Sequence, residues 1–270
     1  MTLLVSWTGI DSRGPASVYI ATDSRLTWGD QGHFDHAVKT YAMHNFPAII
    51  GYCGDALASQ MIIAQASALV SSAMNPERAT LNAIANLFLR SMKRSYRDYP
   101  KNLSSGSFTV AICGKRRLAS NGEFECYKIC SDFNDTSISI IEFPLESGAL
   151  VIAGSGTQSF QGVFQKHCVD DNPNRSTSRD VFHAFSQTIG TNLDQTVGPI
   201  PQVVSVIRKP NTGGFHCGIV SDQKRYINGQ LIDADQLDSE SVWFNQNFEI
   251  TDPSTKKRVS DAQAQPQFGT

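Results

Sequence analysis

Residues Thr2 to Trp7 and Ser17 to Asp23 are apolar, β-branched runs on either side of GIDSRGPA, a segment rich in turn formers; this pattern predicts a hairpin. A second strand pair, Val38 to Met43 and Ala48 to Cys53, is broken at Asn45 to Pro47. After Gly54-Asp55 the period changes. Leu57, Met61, Ile62, Leu69 and Val70 recur at helical spacing as far as Asn75-Pro76. A second helix is predicted from Glu77 to Asp98, with Leu81, Ile84, Leu87, Phe88 and Met92 on one face and Pro100 ending it. Strand character returns at Ser107 to Cys113, Phe124 to Cys130, Ser137 to Phe143 and Gly148 to Ala153. Helical spacing follows at Gln158 to Cys168 and at Ser178 to Leu193, the latter with Thr177 or Ser178 as a cap. Pro201 to Ile207 and Phe215 to Val220 are strands again.

The order is strands, two helices, strands, two helices, strands. A parallel doubly wound sheet would alternate strand with helix, so the pattern predicts an α+β fold: a four-layer αββα sandwich of two antiparallel sheets with a helix pair on each outer face. No linker or compositional shift divides the chain before about Asp252, which predicts one domain over 1–250. The polar segment 251–270 reads as a C-terminal tail.

Composition narrows the functional classes. With 23 Lys and Arg against 25 Asp and Glu, the net charge of −2 gives no pull toward nucleic acid or an anionic membrane. No leader pattern opens the chain and no apolar run approaches about 20 residues, so the expectation is a cytoplasmic protein without a membrane partner. Cys53, Cys113, Cys126, Cys130, Cys168 and Cys217 lack paired metal-ligand spacing and read as small buried hydrophobes of a reducing compartment. His33 and His36 in GHFDH read as surface-loop residues, so no metal and no cofactor are expected.

The chemistry centres on Thr2. A threonine hydroxyl is a weak nucleophile that needs an adjacent base, and a free α-amine with a pKa of about 8 is such a base once the threonine is the first residue. Methionine before a small residue is the usual substrate of the aminopeptidase that trims new chains, so loss of Met1 exposes both groups. Asp23 closes the second strand within ATDSR, and Lys39 follows sixteen residues later in VKTYA. Lys39 beside the Thr2 hydroxyl favours loss of its proton, and Asp23 orients and charge-pairs the lysine. Taken singly, Asp23 is a turn residue and Lys39 a surface charge.

Together with the element order, Thr2, Asp23 and Lys39 resemble the N-terminal nucleophile hydrolases of the proteasome β-subunit type. In that family the first strand begins with the catalytic threonine and the second ends in an aspartate within an A-D-S-R signature, with a lysine at this distance. The resemblance extends from Thr2 to Val220. It implies an oxyanion-hole N–H from GYCGDALAS, at Gly54 or Asp55, with Cys53 in the substrate pocket. The family's usual glycine pair is here Gly54-Asp55, and helix capping is the equal alternative for both. Ser155 in AGSGTQSF matches the family's serine near the threonine amine, and Asp194 matches its next aspartate; the family's following serine falls on Val197, a departure. The resemblance implies a threonine peptidase in a ring-like homo-oligomer that degrades peptides or unfolded proteins. A catalytically silent scaffold subunit of the same fold and a small-molecule amide hydrolase are the competing readings.

Overall fold

The computed structural model describes residues 2–262 apart from 29–31, 104–105, 121, 133, 169–171, 173, 192–196, 210–212 and 238–240. Strands β1 (Leu3–Asp11) and β2 (Gly14–Asp23) form the first hairpin. The short strands β3 (Leu26–Thr27) and β4 (His33–Phe34) pair with each other. β5 (Thr40–Met43) and β6 (Ala48–Gly54) then lead into α1 (Ala56–Ala73) and α2 (Leu81–Arg97). β7 (Phe108–Lys115), β8 (Phe124–Ser131), β9 (Thr136–Ile140) and β10 (Gly148–Gly154) precede α3 (Thr157–His167) and α4 (Ser178–Gly190). The chain continues through β11 (Pro201–Ile207), β12 (Phe215–Ser221), β13 (Lys224–Ile227), β14 (Gln230–Leu231), β15 (Trp243–Asn245), β16 (Thr251–Asp252) and β17 (Lys257–Arg258).

Two sheets carry the fold. The larger runs β10-β1-β2-β11-β12-β13-β14, with β15 parallel to β12, and the smaller runs β5-β6-β7-β8-β9. Side chains two apart on a strand share a face, and this alternation sorts the interior into three layers. Leu3, Val5 and Trp7 of β1 pack with Phe160, Phe182 and Phe185 under α3 and α4. Leu4 of β1 and Val18 and Ile20 of β2 face Ile49, Cys53 and Ala111 of the smaller sheet. Ile50 and Tyr52 of β6 face Ile62, Ile63, Ile84 and Phe88 of α1 and α2. The expected αββα sandwich is therefore the observed architecture.

The second helix starts four residues later than its periodicity predicts. Residues 75–79 turn instead, with the Ala79 N–H donating to the Asn75 carbonyl, and the Thr80 hydroxyl caps the Ala83 N–H. By length and composition alone α1 could cross a membrane, yet Ile62, Ile63, Ala66 and Val70 belong to the core beneath it. Cys53, Cys113, Cys126 and Cys217 are buried, whereas Cys130 is half-buried and Cys168, at the end of α3, is exposed.

Strands β13 to β17 have no counterpart in the sequence expectation. The turn after β15 brings Phe248 onto Phe244, with ring centroids 4.3 Å apart, and both pack on Tyr19. The expected tail begins with the β16–β17 hairpin, in which Thr251 is buried.

Candidate active site

β1 lies between β2 and β10, and its first five residues are fully buried, so the backbone at Thr2 is held from both sides. The Leu3 N–H donates to Asp23 Oδ1 at 2.9 Å, which ties the head of β1 to the end of β2. On the other side the Thr2 carbonyl presses against Gly154, where a Cβ would come within 1.9 Å of it; Gly154 has φ +99°, a conformation that glycine adopts without cost. The Gly156 N–H donates to the same carbonyl at 3.5 Å.

The structure brings Thr2, Asp23 and Lys39 together. Lys39 Nζ donates to Thr2 Oγ1 at 2.6 Å and to both Asp23 carboxylate oxygens at 3.1 Å. Nζ also donates to the Arg25 carbonyl. Asp23 accepts from the Arg25 N–H at 2.9 Å and the Gly198 N–H at 3.3 Å. Asp23 and Lys39 have no solvent exposure, and Thr2 is 1 % exposed. Burial pushes the Asp23 carboxyl up, partly countered by the Lys39 charge and the N–H groups of Leu3 and Arg25. Burial likewise pulls the Lys39 ammonium below its ordinary value, against the pull of Asp23. In both groups the effect of burial is opposed by their own ion pair, which holds Nζ beside the Thr2 hydroxyl.

Cys53 ends the interior run of β6, 3 % exposed, with its Cβ 3.4 Å from where a Gly154 side chain would begin. Burial pushes its thiol up to about 12, so it stays protonated and is no competing nucleophile. Gly54 follows with φ +105°, and a Cβ there would meet the Ser107 carbonyl at 2.3 Å. Asp55 departs from the oxyanion expectation. Its N–H donates to the Ser107 carbonyl at 3.2 Å, and its carboxylate caps α1 by accepting from the Ala58 N–H at 2.9 Å. The strand-to-helix junction uses both groups, which leaves Gly54 as the candidate donor.

Ser155 is exposed in the turn between β10 and α3, flanked by the two glycines that touch the Thr2 carbonyl. Asp194 lies outside the described residues. Val197, where the resembled family has serine, is 1 % exposed and belongs to the apolar cluster under α3 and α4; it approaches the Gly156 backbone beside Leu3. That position is core packing here.

Three further groups support the site without having been expected. The Arg25 side chain is clamped by Asp35, at 2.6 Å and 3.0 Å. The Gly198 N–H reaches Asp23 from the far end of the chain. Gln202 accepts from the Lys39 main-chain N–H at 2.9 Å. The one signal in sequence was Gln202 itself, an amide in the apolar run PQVVSVI.

No family model matches the chain, and no curated protein matches it. Solved structures do. Anbu, an ancestral β-subunit from Yersinia bercovieri, is similar over 79 % of this chain and 86 % of its own, with a TM-score of 0.56 at 11 % identity. The eukaryotic HslV from Trypanosoma brucei is similar over 76 % of this chain and 99 % of its own, with a TM-score of 0.48 at 13 % identity. The sandwich of two antiparallel sheets between helix pairs, shared with Anbu, gives this chain the proteasome-like N-terminal nucleophile hydrolase fold.

Proposed function

We propose that the chain is a threonine-type peptidase whose nucleophile is Thr2, uncovered by removal of Met1. The observation that carries this reading is the buried contact of Lys39 Nζ with Thr2 Oγ1, closed by the Asp23 carboxylate. In the proposed cycle Oγ1 attacks the carbonyl carbon of a peptide bond while its proton passes to the free Thr2 amine. The Lys39 ammonium stabilises the oxygen as it loses that proton, and the Gly54 N–H faces the developing oxyanion. Collapse of the tetrahedral intermediate breaks the C–N bond; the proton goes to the leaving amine and an ester remains on Thr2. Water, deprotonated by the same amine, hydrolyses the ester and restores Oγ1–H.

The reading includes a cytoplasmic, ring-like homo-oligomer that admits peptides and unfolded chains, by analogy with the β-subunit described for Anbu. A second reading, a catalytically silent scaffold subunit, is favoured by the engagement of the Asp55 N–H with Ser107 and by the apolar packing of Val197. A small-molecule amide hydrolase would use the same nucleophile on other substrates.

Intact-protein mass spectrometry of the native protein, with a fluorogenic peptide assay of wild type and Thr2→Ala, separates these readings. Loss of the Met1 mass, with turnover that vanishes in Thr2→Ala, is the expected result. Retention of Met1 in active protein would sink the mechanism. Processed but inert protein favours the scaffold, and turnover of small amides alone favours the third reading.

A further inference from the structure

Lys39 sits in a segment, 36–39, that has no strand partner of its own before β5 begins. Its main chain must nevertheless be fixed, because the side chain has to deliver Nζ to within 2.6 Å of Thr2 Oγ1. The Lys39 carbonyl accepts from the Tyr52 N–H at 3.2 Å, and the Ala37 N–H donates to the Ser24 carbonyl at 3.0 Å. The Val38 carbonyl accepts from the Tyr52 hydroxyl and from Gln60 Nε2, whereas the Lys39 N–H and the Ala37 carbonyl both meet one other side chain. Gln202 Oε1 accepts from the Lys39 N–H at 2.9 Å, and Gln202 Nε2 donates to the Ala37 carbonyl.

A primary amide carries a carbonyl acceptor and two N–H donors, so its oxygen and one N–H can bond a main chain as a peptide group does. Gln202 therefore replaces the strand that this segment lacks. Gln202 is fully buried on β11, opposite Thr22 in the ladder, one residue along β2 from Asp23. Burying an amide inside a sheet is costly unless both ends are bonded, and here one end is bonded to the Lys39 N–H and the other to the Ala37 carbonyl two residues before it.

We propose that Gln202 is a positioning residue that sets the placement of Lys39 against Thr2, acting through the Ala37–Lys39 main chain and touching none of the reacting groups. The inference rests on the peptidase reading for its effect on turnover. Displacement of a reacting group by about 1 Å is enough to cost on the order of a hundredfold in rate.

The test compares wild type, Gln202→Met and Gln202→Glu in the full chain. Methionine keeps the volume and loses both bonds. A protonated glutamate keeps an acceptor and a donor. Gln202→Met is expected to lower kcat by about ten- to a hundredfold with KM within about twofold. Hydrogen exchange at the Lys39 amide is expected to rise at least about tenfold in the same variant. At a pH where its carboxyl is protonated, Gln202→Glu should recover most of the loss relative to wild type at that pH. A kcat equal to wild type in Gln202→Met overturns the proposal, as does a glutamate variant no better than methionine. Should Gln202→Met fail to fold, the comparison of Gln202→Glu with wild type across its own titration gives the same decision. A wild type that turns over no peptide defeats the peptidase reading instead. Exchange at the Lys39 amide then decides the clamp, and unchanged exchange overturns it.

Discussion

Lys39 Nζ lies 2.6 Å from Thr2 Oγ1, a contact between residues 37 apart in the chain and shielded from solvent. An ammonium is brought out of water only at a cost of several kcal/mol, which the Asp23 carboxylate, itself held by backbone donors, offsets. The contact therefore has a chemical consequence that can be measured.

Lys39→Ala is expected to lower turnover by a factor of about a thousand or more while the fold survives. Removing one partner of a buried ion pair costs about 3–5 kcal/mol when the other charge is stranded. Here burial pushes the Asp23 carboxyl up, and loss of the Lys39 charge that opposes this shift makes the carboxyl easier to protonate, which reduces the cost. Peptide turnover and circular dichroism of the purified variant check both halves; unchanged rates would reduce the trio to a coincidence of position.

Asp35→Ala tests the clamp on Arg25. The guanidinium loses a two-point, half-buried partner, while the Arg25 main chain still faces both Asp23 and Lys39. Charge-assisted bonds of this kind are worth about 1.5–3 kcal/mol when sheltered, so the expected loss is about tenfold in kcat with a small fall in melting temperature. Steady-state kinetics against wild type reads the effect.

Gly154→Ala should be far more severe than its size suggests. The new methyl group would overlap the Thr2 carbonyl at 1.9 Å, in a backbone conformation at φ +99° that alanine avoids at a cost of about 1–3 kcal/mol. The expected outcome is a lowered melting temperature together with loss of peptide turnover, because relief of the overlap moves Thr2 itself.

His216 predicts a pH dependence of stability that has nothing to do with the site. Burial, with His44 6.1 Å away, brings its imidazole down to about 4. An unfolded chain takes up this proton near pH 6.5, the folded protein only near pH 4. Stability is therefore fully present above the upper value and declines as pH falls through the window, levelling below about 4. His216→Phe should flatten the melting temperature between pH 6.5 and 4.5 relative to wild type.

The layered fold was legible because its long strands and helices bury opposite faces, so that Leu3, Leu4 and Val5 already announce two layers. Thr2, Asp23 and Lys39 were legible as well, since each is a reactive group at the end or start of a strand. Gln202 was harder, because an amide in an apolar run signals an unusual environment without naming its partner 163 residues away. Asp55 was ambiguous for a physical reason: a helix N-cap and an oxyanion donor call for the same backbone position. The strands after Val220 escaped notice because they are two to four residues long and draw their stability from Trp243, Phe244 and Phe248, whose spacing follows no period.

Asp23 joins four stretches of chain through its two oxygens: Leu3, Arg25, Lys39 and Gly198. A residue so connected cannot be altered for its chemistry alone, since any change there also loosens the seams between distant segments. On the proposed mechanism, an inert reference form suited to trapping what the protein binds is made at the Thr2 hydroxyl, where the change reaches a single oxygen atom and leaves these seams intact.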